Sequence, residues 1–154
     1  MIAAVMHEAL TQTLRRSMAA AQTEARGLNQ EFVGTEHLML GIFSCDACDA
    51  GQILERNGPK TANVRDALRH ALPHGKQPPV VTGDLPLSPR AQRILQESIA
   101  KAQALRETKV STRFMFLSLL DEPDTIIRKV LSASGTDVAQ LQRQLVEKPA
   151  TPEE

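Results

Sequence analysis

The sequence predicts an all-α protein in which two tandem four-helix repeats pack as one pseudo-twofold domain. Three observations support this fold class. Residues 10–68 align without gaps on residues 87–145, and 11 of the 59 aligned positions are identical, which indicates a duplicated structural unit. Within both halves apolar residues recur at spacings of three and four, the pattern of a helix with one buried face. Few stretches alternate with period two, so strands are not predicted.

The first repeat spans about residues 10–72, and its helices are predicted near 11–28, 36–45, 49–57 and 60–71. The apolar face of its first helix consists of Leu10, Leu14, Met18, Ala21, Ala25 and Leu28. Thr11 stands at the N-cap position of this helix, where a hydroxyl can accept a main-chain amide. Gly58 follows the third helix and suits a left-handed C-cap.

The second repeat spans about residues 88–147, and its helices are predicted near 89–106, 112–121, 124–134 and 137–146. Ser88 takes the N-cap position, and Pro89 follows it where a first-turn proline is tolerated. The connector, residues 73–87, carries four prolines and two glycines, and the polar tail, residues 148–154, is expected to be loose. Because a four-helix unit this short buries little surface by itself, the repeats are expected to share one core, so residues 1–154 form a single domain.

Composition excludes several classes of function. Lys plus Arg and Asp plus Glu both number 18, which gives zero formal net charge, whereas a general nucleic-acid-binding protein needs a basic face. Without Trp or Tyr and with only four Phe, the chain has no evident aromatic platform for bases. No apolar stretch approaches the roughly 20 residues of a membrane span. Two cysteines without an export signal lead us to expect a cytoplasmic protein with reduced thiols.

The motif GTEH, residues 34–37, stands directly before an unbroken apolar run. Thr35 suits the N-cap of the second helix, and Glu36 in the first turn would favour the positive end of the helix dipole. These helix-capping roles explain the motif without any binding or catalytic function. The second repeat keeps the hydroxyl and the apolar run but has Arg113 and Phe114 in place of the acid and the histidine. The helix start therefore does not require the acid, and Glu36 is either a small capping improvement or a binding residue.

Three stretches, LTQTLRRSMAAAQTEA, VGTEHLMLGIF and ILERNG, together resemble the Clp N-terminal repeat domain, most of all that of the ClpC type. The resemblance covers residues 10–146. It implies an all-α fold, the docking of protein substrates or adaptors onto a Clp ATPase, contact with the Clp machinery itself, and no catalysis in this domain. No GxxxxGK[ST] phosphate loop occurs, so ATPase activity is not expected. The chain is thus either an excised N-domain or a stand-alone relative.

The resemblance also implies a ligand, because ClpC-type N-domains in some bacteria recognise arginine-phosphorylated proteins. The family's threonine and its GTEH glutamate fall on Thr11 and Glu36. A hydroxyl at a helix N-terminus suits a phosphate, and a carboxylate suits a guanidinium. In the second repeat Pro89 removes an amide donor and Arg113 replaces the acid. We therefore expect at most one phosphoarginine site, built on Thr11 and Glu36.

A different class of function depends on Cys45-x-x-Cys48 followed by His70 and His74. Thiolates and imidazoles are zinc ligands, but the 21 residues between Cys48 and His70 exceed the usual spacing. The alternative hypothesis is a zinc- or thiol-dependent helical-repeat protein. No nucleophile elbow or carboxylate pair indicates catalysis, so no catalytic residue, metal or cofactor is expected.

Overall fold

A computed structural model describes residues 8–45, 47–123, 125–149 and 151–154. Eight α-helices lie wholly within these ranges, and they confirm the predicted all-α fold. The first repeat contains α1 (Gln12–Gly27), α2 (Thr35–Phe43), α3 (Asp49–Glu55) and α4 (Thr61–Ala71). The second repeat contains α5 (Pro89–Ala104), α6 (Thr112–Asp121), α7 (Ile126–Ala133) and α8 (Val138–Leu145). In the described part of the chain, no helix combines the length and the apolar character that a membrane span needs.

The centre of the domain is formed by α2 and α6, whose side chains are buried on almost every face. In α6 all residues from 112 to 120 are buried, and in α2 only Glu36 is partly exposed. A helix that is apolar on all sides has to lie inside the structure. The rings of Phe43 and Phe116 meet edge to face with centroids 5.4 Å apart, a geometry that adds about 1 kcal/mol beyond burial. This ring pair joins the two repeats.

The other helices cover the central pair. Helix α1 packs along α2, and α5 packs along α6, while α4 of the first repeat contacts α7 of the second. Helix α3 contacts both α6 and α8. The buried apolar side chains form one cluster that runs from Leu10 to Leu145. The two repeats therefore share a single core.

The segments that precede α1 and α2 pair with their counterparts in the other repeat. Leu10 forms an isolated parallel bridge with Val110, and Val33 forms one with Leu87. The same sequence offset that relates the repeats carries one bridge onto the other, so the bridges are equivalent by the pseudo-twofold relation. They bring the N-terminus of each repeat's first helix to the N-terminus of the other repeat's second helix.

Most helix ends agree with the predicted caps. The hydroxyls of Thr11 and Ser88 accept amides from the first turns of α1 and α5 at 3.0 and 3.1 Å. Gly58 and Gly135 follow α3 and α7 with φ angles of 112° and 82°, a region that only glycine enters without strain. The predicted start of the seventh helix at residue 124 lies outside the described residues.

The start of α2 differs from the prediction. Thr35 is the first helical residue rather than the N-cap, which is Gly34. The side chain that completes the cap comes from His37, whose Nδ1 accepts the Gly34 amide at 2.8 Å. A side chain at the third helical position that reaches back to the N-cap amide is half of a capping box. This capping role explains why a histidine stands at the last position of the GTEH motif.

The connector and the tail both lie against the helices. Gln22 of α1 bonds in both directions with the main chain of Leu85 in the connector, at 2.8 and 2.7 Å. The tail was predicted to be loose, but its last residue accepts the Thr13 amide through the Glu154 main-chain oxygen at 2.8 Å. The end of the tail is therefore attached to the N-terminal turn of α1.

The contact between α1 and α2 is closest at Gly41, where we predict that a side chain cannot be accommodated. A Cβ added there would lie 2.9 Å from the Ala21 amide nitrogen and closer still to the Ser17 carbonyl oxygen. Because both are backbone atoms, the helices would have to separate, and Gly41→Ala should lower the free energy of unfolding by about 2 kcal/mol or more.

The matched control is Gly27→Ala, since a Cβ at Gly27 meets nothing within 4 Å. Alanine favours the helix over glycine, so this variant should be up to about 1 kcal/mol more stable than the parent. Urea unfolding followed by circular dichroism measures both changes. A Gly41→Ala variant as stable as the parent would contradict the close approach of the helices.

Candidate functional site

Two clefts lie where the repeats cross. The Glu36 cleft is formed by the start of α2 and the start of α5, and its lining includes Phe32, Gly34, Glu36, Ser88, Pro89 and Arg90. The Thr11 cleft is formed around the starts of α1, α3 and α6 and by the tail, and its lining includes Thr11, Asp49, Glu107, Ser111, Arg113 and Glu153. Each cleft therefore takes residues from both repeats.

The Glu36 carboxylate is the acidic group of its cleft and is available to a ligand. It accepts one hydrogen bond, from the Thr35 hydroxyl at 3.2 Å, and it forms no salt bridge with any residue that the structure describes. Gly34 makes room for it, because a Cβ there would lie 2.7 Å from Glu36 Oε1. The ring of Phe32, 55% exposed, lines the same cleft. A carboxylate beside an aromatic ring is suited to a guanidinium group, which can bond to the acid and stack on the ring.

The opposite wall of this cleft offers a hydroxyl and a cation. Ser88 uses its oxygen to accept the Ala91 amide at 3.1 Å, so its proton can be donated elsewhere. The Arg90 side chain is 58% exposed, and its contact with Glu122 is long, at 3.8 Å. These groups suit an anion. The cleft as a whole can therefore receive a ligand with one cationic and one anionic end.

His37 supports the helix start and has no evident chemical role. The side chain is buried, and burial lowers the pKa of His37 more than the neighbouring Glu36 raises it. Only a neutral imidazole can accept the Gly34 amide at Nδ1. The low pKa therefore preserves the cap at neutral pH.

In the Thr11 cleft, the residue equivalent to Glu36 is Arg113, and its side chain is turned into the protein. One guanidinium nitrogen donates to the carbonyls of Leu145 and Val146, both at 3.0 Å, and the other donates to Glu107 at 3.1 Å. The Nε atom lies 3.9 Å from the Asp49 carboxylate. A buried guanidinium needs such partners, so Arg113 is a structural residue here.

Two carboxylates lie close together in this cleft. The Glu153 main-chain amide donates to Asp49 at 2.8 Å, and the Asp49 amide donates to the Glu153 carboxylate at 2.7 Å. Burial, followed by the charge of Glu153, raises the pKa of Asp49. The Thr11 hydroxyl also donates to Glu153, at 2.8 Å. The cleft that contains Thr11 is thus occupied by an acid from the tail.

The structure does not bring Thr11 and Glu36 together. They line different clefts, because the bridges place the start of each first helix beside the second helix of the other repeat. The predicted single phosphoarginine site, made of both residues, therefore does not form. Glu36 faces Ser88, and Thr11 faces the start of α6.

Sequence reasoning missed three residues of these clefts. Phe32 could have been noticed, because it is one of only four aromatic residues and directly precedes the GTEH helix. No local pattern marks Arg90 or Glu153. Their positions depend on contacts between distant segments, which periodicity does not report.

The cysteines and histidines of the alternative hypothesis lie at separate places. Cys48 is the N-cap of α3, and burial raises its pKa to about 11, so the thiol is protonated at neutral pH. Cys45 Sγ lies 3.3 Å from the Ser17 hydroxyl. His70 and His74 line another cleft, beside the N-terminal repeat's first helix. Within the described ranges, no group of three His, Cys, Asp or Glu side chains could hold a metal ion.

Comparison with known families gives a match over most of the chain. The model of the Clp repeat (R) N-terminal domain, Clp_N, matches residues 9–115 and 87–152. The chain is 28% identical over 141 residues, 92% of its length, to the chloroplastic chaperone protein ClpC2 of Oryza sativa subsp. japonica. It has the same identity and coverage with the chloroplastic ClpC1 of Arabidopsis thaliana. The chain spans about 15% of the length of these curated relatives.

Solved structures share the fold. The N-terminal domain of ClpD from Arabidopsis thaliana superposes with a TM-score of 0.72 at 21% identity, covering 90% of this chain and 93% of that one. The N-domain of ClpV from Vibrio cholerae gives 0.73 at 15% identity, covering 92% and 87%. A complex of a ClpV N-domain with a VipB peptide gives 0.70 at 16% identity, covering 92% and 89%.

The cap made by His37 predicts a pH-dependent stability. Because burial lowers the pKa of His37 in the folded protein, the unfolded chain, with a pKa of about 6.5, takes up a proton first as the pH falls. Stability should therefore be lost between about pH 6.5 and the lower pKa of the folded state. His37→Gln keeps an acceptor at the capping position and should lose less stability over this window.

Urea unfolding at about pH 7.5 and about pH 5.5 measures the difference, because these values lie on the two sides of the unfolded pKa. The control is His70→Gln, at an exposed position on α4, which should follow the parent. If His37→Gln lost as much stability as the parent on acidification, the capping role of the neutral imidazole would be contradicted.

Proposed function

Because the chain belongs to the Clp repeat N-terminal domain family, we propose that it is a non-catalytic module that docks protein substrates or adaptors for a Clp-type ATPase. The observation that supports this most is the Glu36 cleft. It is open to solvent and offers an acid, an exposed ring, a hydroxyl and a cation from two repeats. A ClpV N-domain of the same fold has been solved with a VipB peptide, and peptide docking is the role that we carry over to this chain.

The chemistry of the Glu36 cleft favours an arginine side chain, and in particular a phosphorylated one, on the docked protein. Glu36 would accept two parallel hydrogen bonds from the guanidinium. The phosphate would lie toward the start of α5, where Ser88 can donate its proton and Arg90 supplies a positive charge. Pro89 removes one amide from this helix start, and Arg90 offsets that loss. Ser88 is thus the hydroxyl that would contact the phosphate, the role predicted from the sequence for Thr11.

Glu36→Gln tests this proposal, because it removes the charge and half of the acceptors with little change in shape. The affinity for a phosphoarginine peptide, measured by calorimetry, should fall about tenfold or more, as expected for a charge-assisted pair. Gly34→Ala is a second variant: the three atoms nearest to its Cβ would all belong to the Glu36 carboxylate group. It should weaken binding with little change in the free energy of unfolding.

Glu147→Gln is the control, since Glu147 is an exposed acid on the segment after α8, and it should bind like the parent. The same peptide without the phosphate should bind more weakly, because the start of α5 then lacks its anion. Equal binding by Glu36→Gln and the parent would show that the ligand is held elsewhere. Equal binding of both peptides would limit the site to arginine recognition alone.

A further inference from the structure

The Glu153 side chain of the tail is held in the Thr11 cleft by four donors. Oε1 accepts the Thr11 hydroxyl at 2.8 Å and the Thr112 amide at 2.6 Å. Oε2 accepts the Asp49 amide at 2.7 Å and the Thr112 hydroxyl at 2.6 Å. An ionised carboxylate has about four acceptor positions, and here each of them is filled. This is a complete set of ligands for one acidic group.

The cleft also recognises the main chain on both sides of this glutamate. The Glu153 amide donates to Asp49 at 2.8 Å. The Glu154 main-chain oxygen accepts both the amide and the hydroxyl of Thr13, at 2.8 and 2.9 Å. The Thr151 carbonyl accepts the Gln52 side chain at 3.2 Å. The contacts thus recognise a short peptide segment that carries an acidic side chain at one position.

The donors of this site are fixed in place and need an acceptor from outside. The Thr11 hydroxyl accepts the Leu14 amide at 3.0 Å, and the Thr112 hydroxyl accepts the Ala50 amide at 3.1 Å. Each hydroxyl then has only its proton left for another partner. With the tail in place both threonines are buried, with 5% and 0% exposure, and the Glu153 carboxylate accepts the proton of each.

A further buried hydroxyl in the same cleft is not engaged by the tail. Ser111 is 6% exposed, and its Oγ has no hydrogen-bond partner of ordinary geometry in the described part of the chain. It lies close enough to Asp49 to help stabilise that carboxylate, but the geometry does not make a hydrogen bond. A ligand that enters the cleft can use this group, whereas the tail does not.

Residues 151–154, which follow the buried Pro149, can leave the cleft without exposing the core. Thr151, Pro152 and Glu154 are exposed, and Glu153 itself is only partly buried. No apolar side chain of residues 151–154 belongs to the buried cluster. Residues 151–154 are held by polar contacts, so a segment with the same contacts can replace them.

We propose that the Thr11 cleft is a second peptide site, for an extended segment of a partner protein that carries a glutamate, and that residues 151–154 occupy it as an internal competitor. This goes beyond the function proposed for the Glu36 cleft, because other residues bind a different chemical group, a carboxylate. A tethered occupant acts at an effective concentration in the millimolar range. The partner segment therefore binds weakly until the tail is released.

Fluorescence anisotropy with a labelled peptide, KPATPEE, acetylated and amidated at its ends, tests this on the full chain. Glu153→Gln removes the charge of the internal competitor and should bind the peptide at least about tenfold more tightly than the parent. Glu154→Gln is the matched control and should behave like the parent, because the bonds that the structure describes for Glu154 go from its main-chain oxygen to Thr13. The peptide KPATPQE should bind none of these proteins.

Adding Thr112→Val to Glu153→Gln should weaken peptide binding about tenfold or more, since the valine cannot donate to the carboxylate although the other three donors remain. Circular dichroism confirms that each variant is folded. If folded Glu153→Gln bound KPATPEE no better than the parent, or bound KPATPQE equally, the tail would be a structural strap and the proposal would fail. Dimerisation of the parent that Glu153→Gln abolishes would show that the tail acts between copies and would overturn the internal role.

Glu36→Gln, combined with Glu153→Gln, separates this proposal from the preceding one. KPATPEE should bind the combined variant as tightly as it binds Glu153→Gln alone. The phosphoarginine peptide, by contrast, should lose affinity. A loss of both ligands would mean that a single site serves both, which would contradict the assignment of two clefts.

Discussion

Two parallel bridges, Leu10 to Val110 and Val33 to Leu87, determine how the clefts of this domain are assembled. Each bridge fixes the chain just before a first helix of one repeat against the chain just before a second helix of the other. The polar groups at those helix starts therefore meet across the repeats. Neither repeat alone contains a complete cleft. The clefts therefore require both repeats, as does the shared core around α2 and α6. Any change that separates the repeats should remove both clefts together with the fold.

The duplication gave equivalent positions opposite charges, and burial decides what each charge can do. Glu36 is partly exposed, and among the described residues its carboxylate accepts a hydrogen bond only from the neighbouring Thr35, so a ligand can still use it. Arg113 is 2% exposed and directs its donors to the end of α8 and to Glu107. Removing a buried guanidinium from these partners would be costly. One cleft thus presents a free acid, while the other has an internal cation that holds its walls together.

The sequence predicts the helices and most of their ends because those features depend on neighbours within one turn. Thr11, Ser88 and Gly58 act as their local patterns indicate. The prediction of Thr35 as a cap was wrong, because the helix begins at Thr35 itself and the His37 imidazole accepts the Gly34 amide. The pairing of Thr11 with Glu36 could not be checked from the sequence. Helix periodicity indicates which face of a helix is buried, but not which repeat packs against that face. Because the repeats cross, Thr11 and Glu36 lie in different clefts.

The Thr11 cleft can discriminate between anions by their geometry, because the groups that bind the anion are uncharged. Its anion is held by hydroxyls and main-chain amides, which are neutral donors, whereas the guanidinium of Arg113 is already paired. Neutral donors contribute only when an acceptor sits at hydrogen-bond distance, so they reject anions of the wrong geometry. The chain has zero formal net charge, so its overall charge adds little long-range attraction to that of the two lysines that line the cleft, Lys109 and Lys148. Recognition then depends on the fit of one carboxylate and the main chain beside it, and a tail of only a few residues is enough to compete.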